Sequence, residues 1–232
     1  MFIPIGDDNS WRRRTPFVVY ALIAANAYMW WLQLKGGEPF TNALSAVPYE
    51  ITHGVDLAST VRAQFNGQIV PIRHFRGPDP ISLTMFTSMF MHGSWMHIIG
   101  NMVYLGIFGD QIEDRLGHVK FLLFYLLCGV LASLAHIAAA PHSVIPSLGA
   151  SGAIAGVLGA YLWCYPRNRV RVLVFRYVAI FPAIIVLGAW FALQVFGQMG
   201  SGAGGGIAYM AHIGGFVAGV FLIFVFGKSQ LR

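Results

Sequence analysis

The chain has 232 residues, of which 56% are hydrophobic and only 10% charged, and its mean hydropathy is +0.64. A water-soluble domain carries about 25% charged residues, so there is too little polar surface here to cover a water-facing globule, and the bilayer is the expected solvent. The formal net charge of +6 does not point to nucleic acid, because the basic residues stand at the ends of apolar runs and form no single patch.

Arg12-Arg13-Arg14 precede the first apolar run with no small-residue cleavage site after it, so the run reads as a retained anchor. Six runs approach the ~20 residues a helix needs to cross a bilayer. They are residues 17–34, 83–108, 121–140, 144–165, 177–196 and 206–226. Residues 1–16 form an N-terminal segment. Residues 35–82 form a long loop carrying Pro39, Pro48, Pro71, Pro78 and Pro80, with a short interfacial helix expected at 44–55. Pro146 and Gly149 interrupt the fourth run and move the start of its regular helix to about Ala150. Residues 197–206, with six glycines, read either as a mobile cap or as a plain connector. With no repeat and no composition break, the expectation is one all-α membrane domain of six transmembrane helices spanning residues 1–232. Cys128 and Cys164 lie inside apolar runs and read as small buried hydrophobes.

Lysine and arginine set the orientation. With the N-terminus inside, the cytoplasmic pieces hold Arg12, Arg13, Arg14, Arg115, Lys120, Arg167, Arg169, Arg171, Arg176, Lys228 and Arg232. The outer pieces hold only Lys35, Arg62, Arg73 and Arg76. This is the positive-inside pattern, with both termini cytoplasmic.

Polar residues within spans are costly and mark candidate functional positions. They are His92, His97 and Asn101 in the second run, Ser151 in the fourth, Gln194 in the fifth and His212 in the sixth. Ser151 precedes Arg167, His212 precedes Lys228, and His97 precedes Glu113, each by 16 residues. At about 1.5 Å per residue each lies roughly 24 Å above the inner boundary, in one layer near the outer leaflet. Asn101 shares the His97 face, one turn deeper. The competing reading of each residue alone is a hydrogen bond that glues two helices.

The motifs decide between them. Gly149-Ala150-Ser151-Gly152 opens the regular fourth helix, where unpaired backbone N–H groups favour a developing negative charge. Gly152 and Gly156 in the fourth helix, and Gly215 and Gly219 after Ala211-His212 in the sixth, give small-residue faces through which two backbones can approach closely. In combination with His97 and Asn101, and with Glu113, Arg115 and Gly117 in a cytoplasmic turn, these motifs resemble the rhomboid family over residues 84–219. Ala155, where some members carry an aromatic, and Gly100, often bulky, depart from its pattern.

The resemblance implies an intramembrane serine protease with Ser151 as nucleophile and His212 as base, near the outer face of a bacterial inner membrane. It implies oxyanion stabilisation by His97, Asn101 and the backbone at Gly149 and Ser151. No acidic residue lies near this layer in the other spans, so the expectation is a dyad oriented by close helix packing. His92 reads as structural or water-positioning. Trp190 and Phe191 read as a lateral gate or as ordinary packing, and Glu113 with Arg115 as a stabilising pair. The expected partners are transmembrane protein substrates and the lipid bilayer, with no metal and no cofactor. A metalloprotease lacks its HExxH, and an aspartyl protease its second membrane aspartate. A transporter or channel would need polar groups through the full depth, whereas they stop at one layer. A catalytically silent binding relative would lack the serine or the histidine.

Overall fold

The computed structural model describes residues 2–65, 68–200 and 209–227. Helix α1 runs Phe17–Ala43 but breaks at Gly37 (φ 64°), two residues before Pro39, so the straight part ends close to the expected position. Pro39 removes an N–H and its ring clashes with the preceding turn, which forces the break. Helix α2, Pro48–His53, is the short helix expected in the long loop. The same loop also holds a hairpin, β2 (Thr60–Phe65) and β3 (Gln68–Arg73).

The second expected span is not continuous. Residues 81–90 form a short helix α3 (Thr84–Thr87) flanked by two 3-10 turns, and the chain is extended at Met91. Helix α4 begins only at Trp95 and reaches Leu116. Its start is set by Ser94, whose extended backbone lets its hydroxyl accept from the His97 N–H at 3.2 Å. Such caps satisfy a donor that the helix leaves unpaired, a local signal that hydropathy does not carry. Gly117 (φ 79°) turns the chain into α5, His118–Ala139.

Helix α6, Ser151–Cys164, begins one residue after Ala150, close to where Pro146 and Gly149 require. Residues 152–161 are all buried, as expected of a helix apolar on every side and enclosed by others. Its neighbour α8, Tyr209–Gly227, touches it backbone to backbone. A Cβ on Gly215 or Gly219 would collide with the carbonyl oxygens of Gly152 and Gly156. The predicted glycine faces do meet.

The fifth expected span is also shorter. Tyr177–Pro182 is strand β5, paired with β4 (Arg169–Val174), and helix α7 covers only Ala183–Gly200. Strand β1, Phe2–Asp7, adds to β4 to give an antiparallel sheet ordered β1-β4-β5. The chain is thus mostly helical, as the all-α expectation has it, with a small sheet and a hairpin added to the helices. The alternation Arg169-Val170-Arg171-Val172 fits a strand with one buried face, and Val170 and Val172 are fully buried. They join Leu105, Phe108, Leu158 and Tyr161 in the core. Helix α7 takes up the first part of the glycine-rich segment, through Gly200, and residues 201–206 lie outside the described residues.

Three helices, α1, α5 and α8, are long and apolar enough to cross a membrane, and α6 and α7 are shorter apolar helices. A second polar layer lies at the sheet end. Asp7 accepts from the Tyr161 hydroxyl at 2.6 Å and from Gln111, with Asn168 also bonded to Tyr161 at 2.6 Å. Asp110 there takes Arg12 at 2.8 Å and Asn9 at 3.1 Å. Burial first, and then the charge of Asp110, raise the Asp7 carboxyl to about 6 against the opposing hydrogen bond from Tyr161. The expectation that polar groups stop at one layer is thus too simple, but buried Leu105, Phe108, Ile154 and Leu158 close off the depth between. Glu113 and Arg115 do not pair with each other. Glu113 accepts from the Val18 and Val19 N–H groups at 2.9 and 2.8 Å and from His118, capping α1. The Arg115 side chain turns to Tyr165.

Candidate active site

Ser151 occupies the first residue of α6, and the segment before it is tied down on both sides. Ala46 and Ser147 exchange N–H to carbonyl bonds of 2.9 and 2.8 Å, and the Gly149 N–H donates to Ser88 at 2.8 Å. Gly149 has φ 127°, a conformation that L side chains rarely adopt, and a Cβ there would lie 2.8 Å from His97 Nε2. Glycine at this position lets an imidazole rest against the backbone beside the serine. The first intrahelical bond runs from Ile154 N–H to Ala150, so the N–H groups at the α6 start have no partner within the helix.

Across the α6–α8 contact, Ser151 Oγ and His212 Nε2 are 2.7 Å apart. His212 Nδ1 lies 2.7 Å from Gln194 Oε1, and the Gln194 amide nitrogen donates back to the Trp190 carbonyl at 3.3 Å. A carbonyl oxygen only accepts, so Nδ1 carries the proton and Nε2 presents its lone pair to the serine hydroxyl. The expectation that packing alone orients the imidazole is corrected: a neutral amide on α7 does so. Trp190 also packs on the His212 ring, with centroids 5.9 Å apart, while Phe191 stacks on Phe216 at 4.4 Å.

His97 and Asn101 face the same cavity as Ser151 and His212. It measures about 710 Å³ and is lined by α4, α5, α6, α7, α8 and the residues 143–148. His97 Nδ1 accepts a long bond from the Gly93 N–H, 3.4 Å, which leaves Nε2 as the protonated nitrogen toward Gly149. Among the described residues the buried Asn101 amide nitrogen has no partner, which makes it an available donor at the cavity wall. His92 stays behind this wall. Its ring meets His97 edge-on at 5.1 Å, and Gln33 of α1 bonds both its N–H and its carbonyl at 2.9 Å.

Three participants were missed from sequence. Gln194 was noted as a polar residue without a role. Gln33 lies inside the first run, and its isolated amide was the available signal. His136 lines the cavity from the last turn of α5, and a histidine in so apolar a run was the signal there. Among the described residues no group of three His, Cys, Asp or Glu side chains could hold a metal ion.

Residues 82–229 match the family model described as the Rhomboid domain. Rhomboid protein 1, mitochondrial, of Saccharomyces cerevisiae is 31% identical over 152 residues, 63% of this chain and 42% of that protein. Rhomboid protease GluP of Bacillus subtilis is 33% identical over 147 residues, 63% of this chain and 26% of that protein. RHOMBOID-like protein 1 of Arabidopsis thaliana is 29% identical over 148 residues, 61% of this chain and 34% of that protein. The chain spans less than half the length of each of these relatives.

Proposed function

The chain belongs to the rhomboid family, and on that premise we propose that this integral membrane protein is a serine endopeptidase cutting transmembrane segments near their outer end. The observation that carries the reading is the 2.7 Å contact between Ser151 Oγ and His212 Nε2, with Gln194 fixing the tautomer.

In the proposed reaction Ser151 Oγ attacks the peptide carbonyl as its proton passes to His212 Nε2. The oxyanion would be held by the Ser151 N–H, the Asn101 amide and the protonated His97 Nε2, a reading supported by the unpaired Asn101 amide among the described residues and by the Gly93 bond to His97 Nδ1. Each such donor contributes about 3 kcal/mol in a water-poor site. The C–N bond then breaks, and His212 returns its proton to the leaving amine. Water, deprotonated by His212, attacks the acyl-serine and restores both residues. Hydroxyl, imidazole and water suffice, so no cofactor or metal enters.

The finer topology belongs to the same proposal: six crossing helices in one membrane domain, both termini cytoplasmic, in a bacterial cell membrane. The arginine-rich sheet end supports a cytoplasmic location for that end, and hence an outward cavity. A channel is disfavoured by the apolar layer of Leu105, Phe108 and Leu158 across the depth.

The test is cleavage of a model single-span substrate by the purified protein in liposomes, beside Ser151→Ala and His212→Ala. Wild type cleaves and both variants fall to background; equal cleavage by all three overturns the assignment. Asn101→Ala is expected to lower kcat about 100-fold with an unchanged melting temperature. Loss of folding would recast Asn101 as structural.

A further inference from the structure

The β4–β5 hairpin ends in a turn that opposes its own sequence. Val174 pairs with Tyr177, leaving Phe175 and Arg176 as a two-residue loop. Phe175 has φ 55° and is the only non-glycine with positive φ among the described residues. Two-residue loops take glycine or asparagine at such positions, and a bulky residue there is strained. Packing does not compensate, because Phe175 is 79% exposed. Strain retained without burial points to a role in binding.

The surroundings say what is bound. Tyr177, Val178 and Ile180 are 68%, 58% and 59% exposed. Arg167, Arg169, Arg171 and Arg176 are exposed on the same hairpin and its approach. Asp8 lies beside Arg169 and Arg171 and offsets part of that charge, while the Arg176 guanidinium sits over the Tyr177 ring at 5.4 Å. In the antiparallel register Tyr177 shares the side of the sheet that carries Val170 and Val172. Those two are fully buried against the bundle and Tyr177 is not, so the tip overhangs the bundle rim. Strand β5 also runs without a linker into the apolar helix α7, whose Ile184 and Ile185 are exposed. An aromatic and cationic tip beside a lipid-facing helix matches the composition of the membrane–water interface.

We propose that the tip of the β4–β5 hairpin docks on anionic phospholipid headgroups of the protein's own membrane, with Phe175 and Tyr177 entering the interfacial layer and Arg171 and Arg176 pairing with lipid phosphates. The attraction would contribute about a fivefold population shift per arginine and be screened by salt. This assignment is independent of the catalytic reading.

The test is hydrogen exchange of residues 175–180 in the full chain, in nanodiscs of phosphatidylcholine alone or with about one quarter phosphatidylglycerol. Exchange is expected to slow at least about fivefold with the anionic lipid, and to recover in about 0.5 M NaCl. Protection is expected to vanish in Arg171→Gln/Arg176→Gln. It is also expected to fall in Phe175→Gly, which relieves the turn and keeps or raises the melting temperature, so that loss of protection is not loss of fold. Equal exchange in both lipid compositions overturns the proposal. So does equal protection in phosphatidylcholine discs supplied with inorganic phosphate, which would make the ligand a free anion, and so does full protection in Phe175→Gly.

Discussion

Replacing Gln194 with alanine removes the one acceptor that holds His212 Nδ1, at 2.7 Å. Two consequences follow. The tautomer with its lone pair on Nε2 loses its preference, and the ring loses an anchor on α7. A neutral hydrogen bond contributes about 0.5–1.5 kcal/mol, so at about 1.4 kcal/mol per decade kcat should fall about two- to twelvefold. Substrate binding should be little changed, because among the described residues the Gln194 amide is otherwise bonded to Trp190 of its own helix. The assay is steady-state cleavage of a fluorogenic transmembrane peptide in liposomes, with kcat and KM separated and the melting temperature measured alongside. A fall of less than twofold would show that packing orients the imidazole without the amide. A fall as deep as that of His212→Ala with a lowered melting temperature would show that Gln194 holds α7 to the bundle. Only a kcat loss of about two- to twelvefold at constant KM and stability supports the orienting role.

Gly149→Ala is expected to abolish labelling of Ser151 by a fluorophosphonate, since its Cβ would press on His97 at 2.8 Å from a strained φ; normal labelling would contradict the close contact. Gly219→Val drives a side chain into the Gly156 carbonyl, so it should cost about 1–3 kcal/mol of stability and most activity together. A stable variant with full activity would refute the backbone contact. Asp7 gives a pH effect of defined sign. Its folded carboxyl is raised from 3.8 to about 6, so the folded state binds the proton more tightly than the unfolded chain. Stability from this group is therefore greatest below about pH 4 and is lost as pH rises through about 6. Protection of the β1 amides, corrected for their intrinsic exchange rate at each pH, should rise on acidification from pH 7 to about 5, and Asp7→Asn should remove that rise; an identical rise in the variant would place the titration elsewhere.

The centre of the molecule was more legible than its edges. Sixteen-residue intervals from Arg167, Glu113 and Lys228 put Ser151, His97 and His212 in one layer because rise per residue is fixed by helix geometry. Gly152, Gly156, Gly215 and Gly219 foretold the α6–α8 contact because only glycine leaves room for it. The misreadings share one cause: apolarity was taken for helicity. Residues 177–182 are as apolar as a span, but they are rich in aromatic and branched side chains and continue a hairpin. Residues 83–94 are apolar too, yet the Ser94 hydroxyl bond delays the helix to Trp95. Asp7, Asn9 and Arg12 lie in the N-terminal segment 1–16, where no local pattern marks them as buried. Their partners Gln111, Asp110, Tyr161 and Asn168 lie 98 to 161 positions away, beyond the reach of any local pattern. Gln194 and His136 were visible as oddities, but their roles depend on which helices adjoin.

Helix α7 forms a wall of the cavity through Trp190 and holds the His212 ring through Gln194. If a substrate segment enters by displacing this wall, the amide leaves with it, and His212 Nδ1 is released for as long as the doorway stands ajar. Under the proposed function the protease would then be disarmed while open and armed only on closing around its guest, an interlock that spares passing proteins and makes the return of α7 the step that commits a substrate.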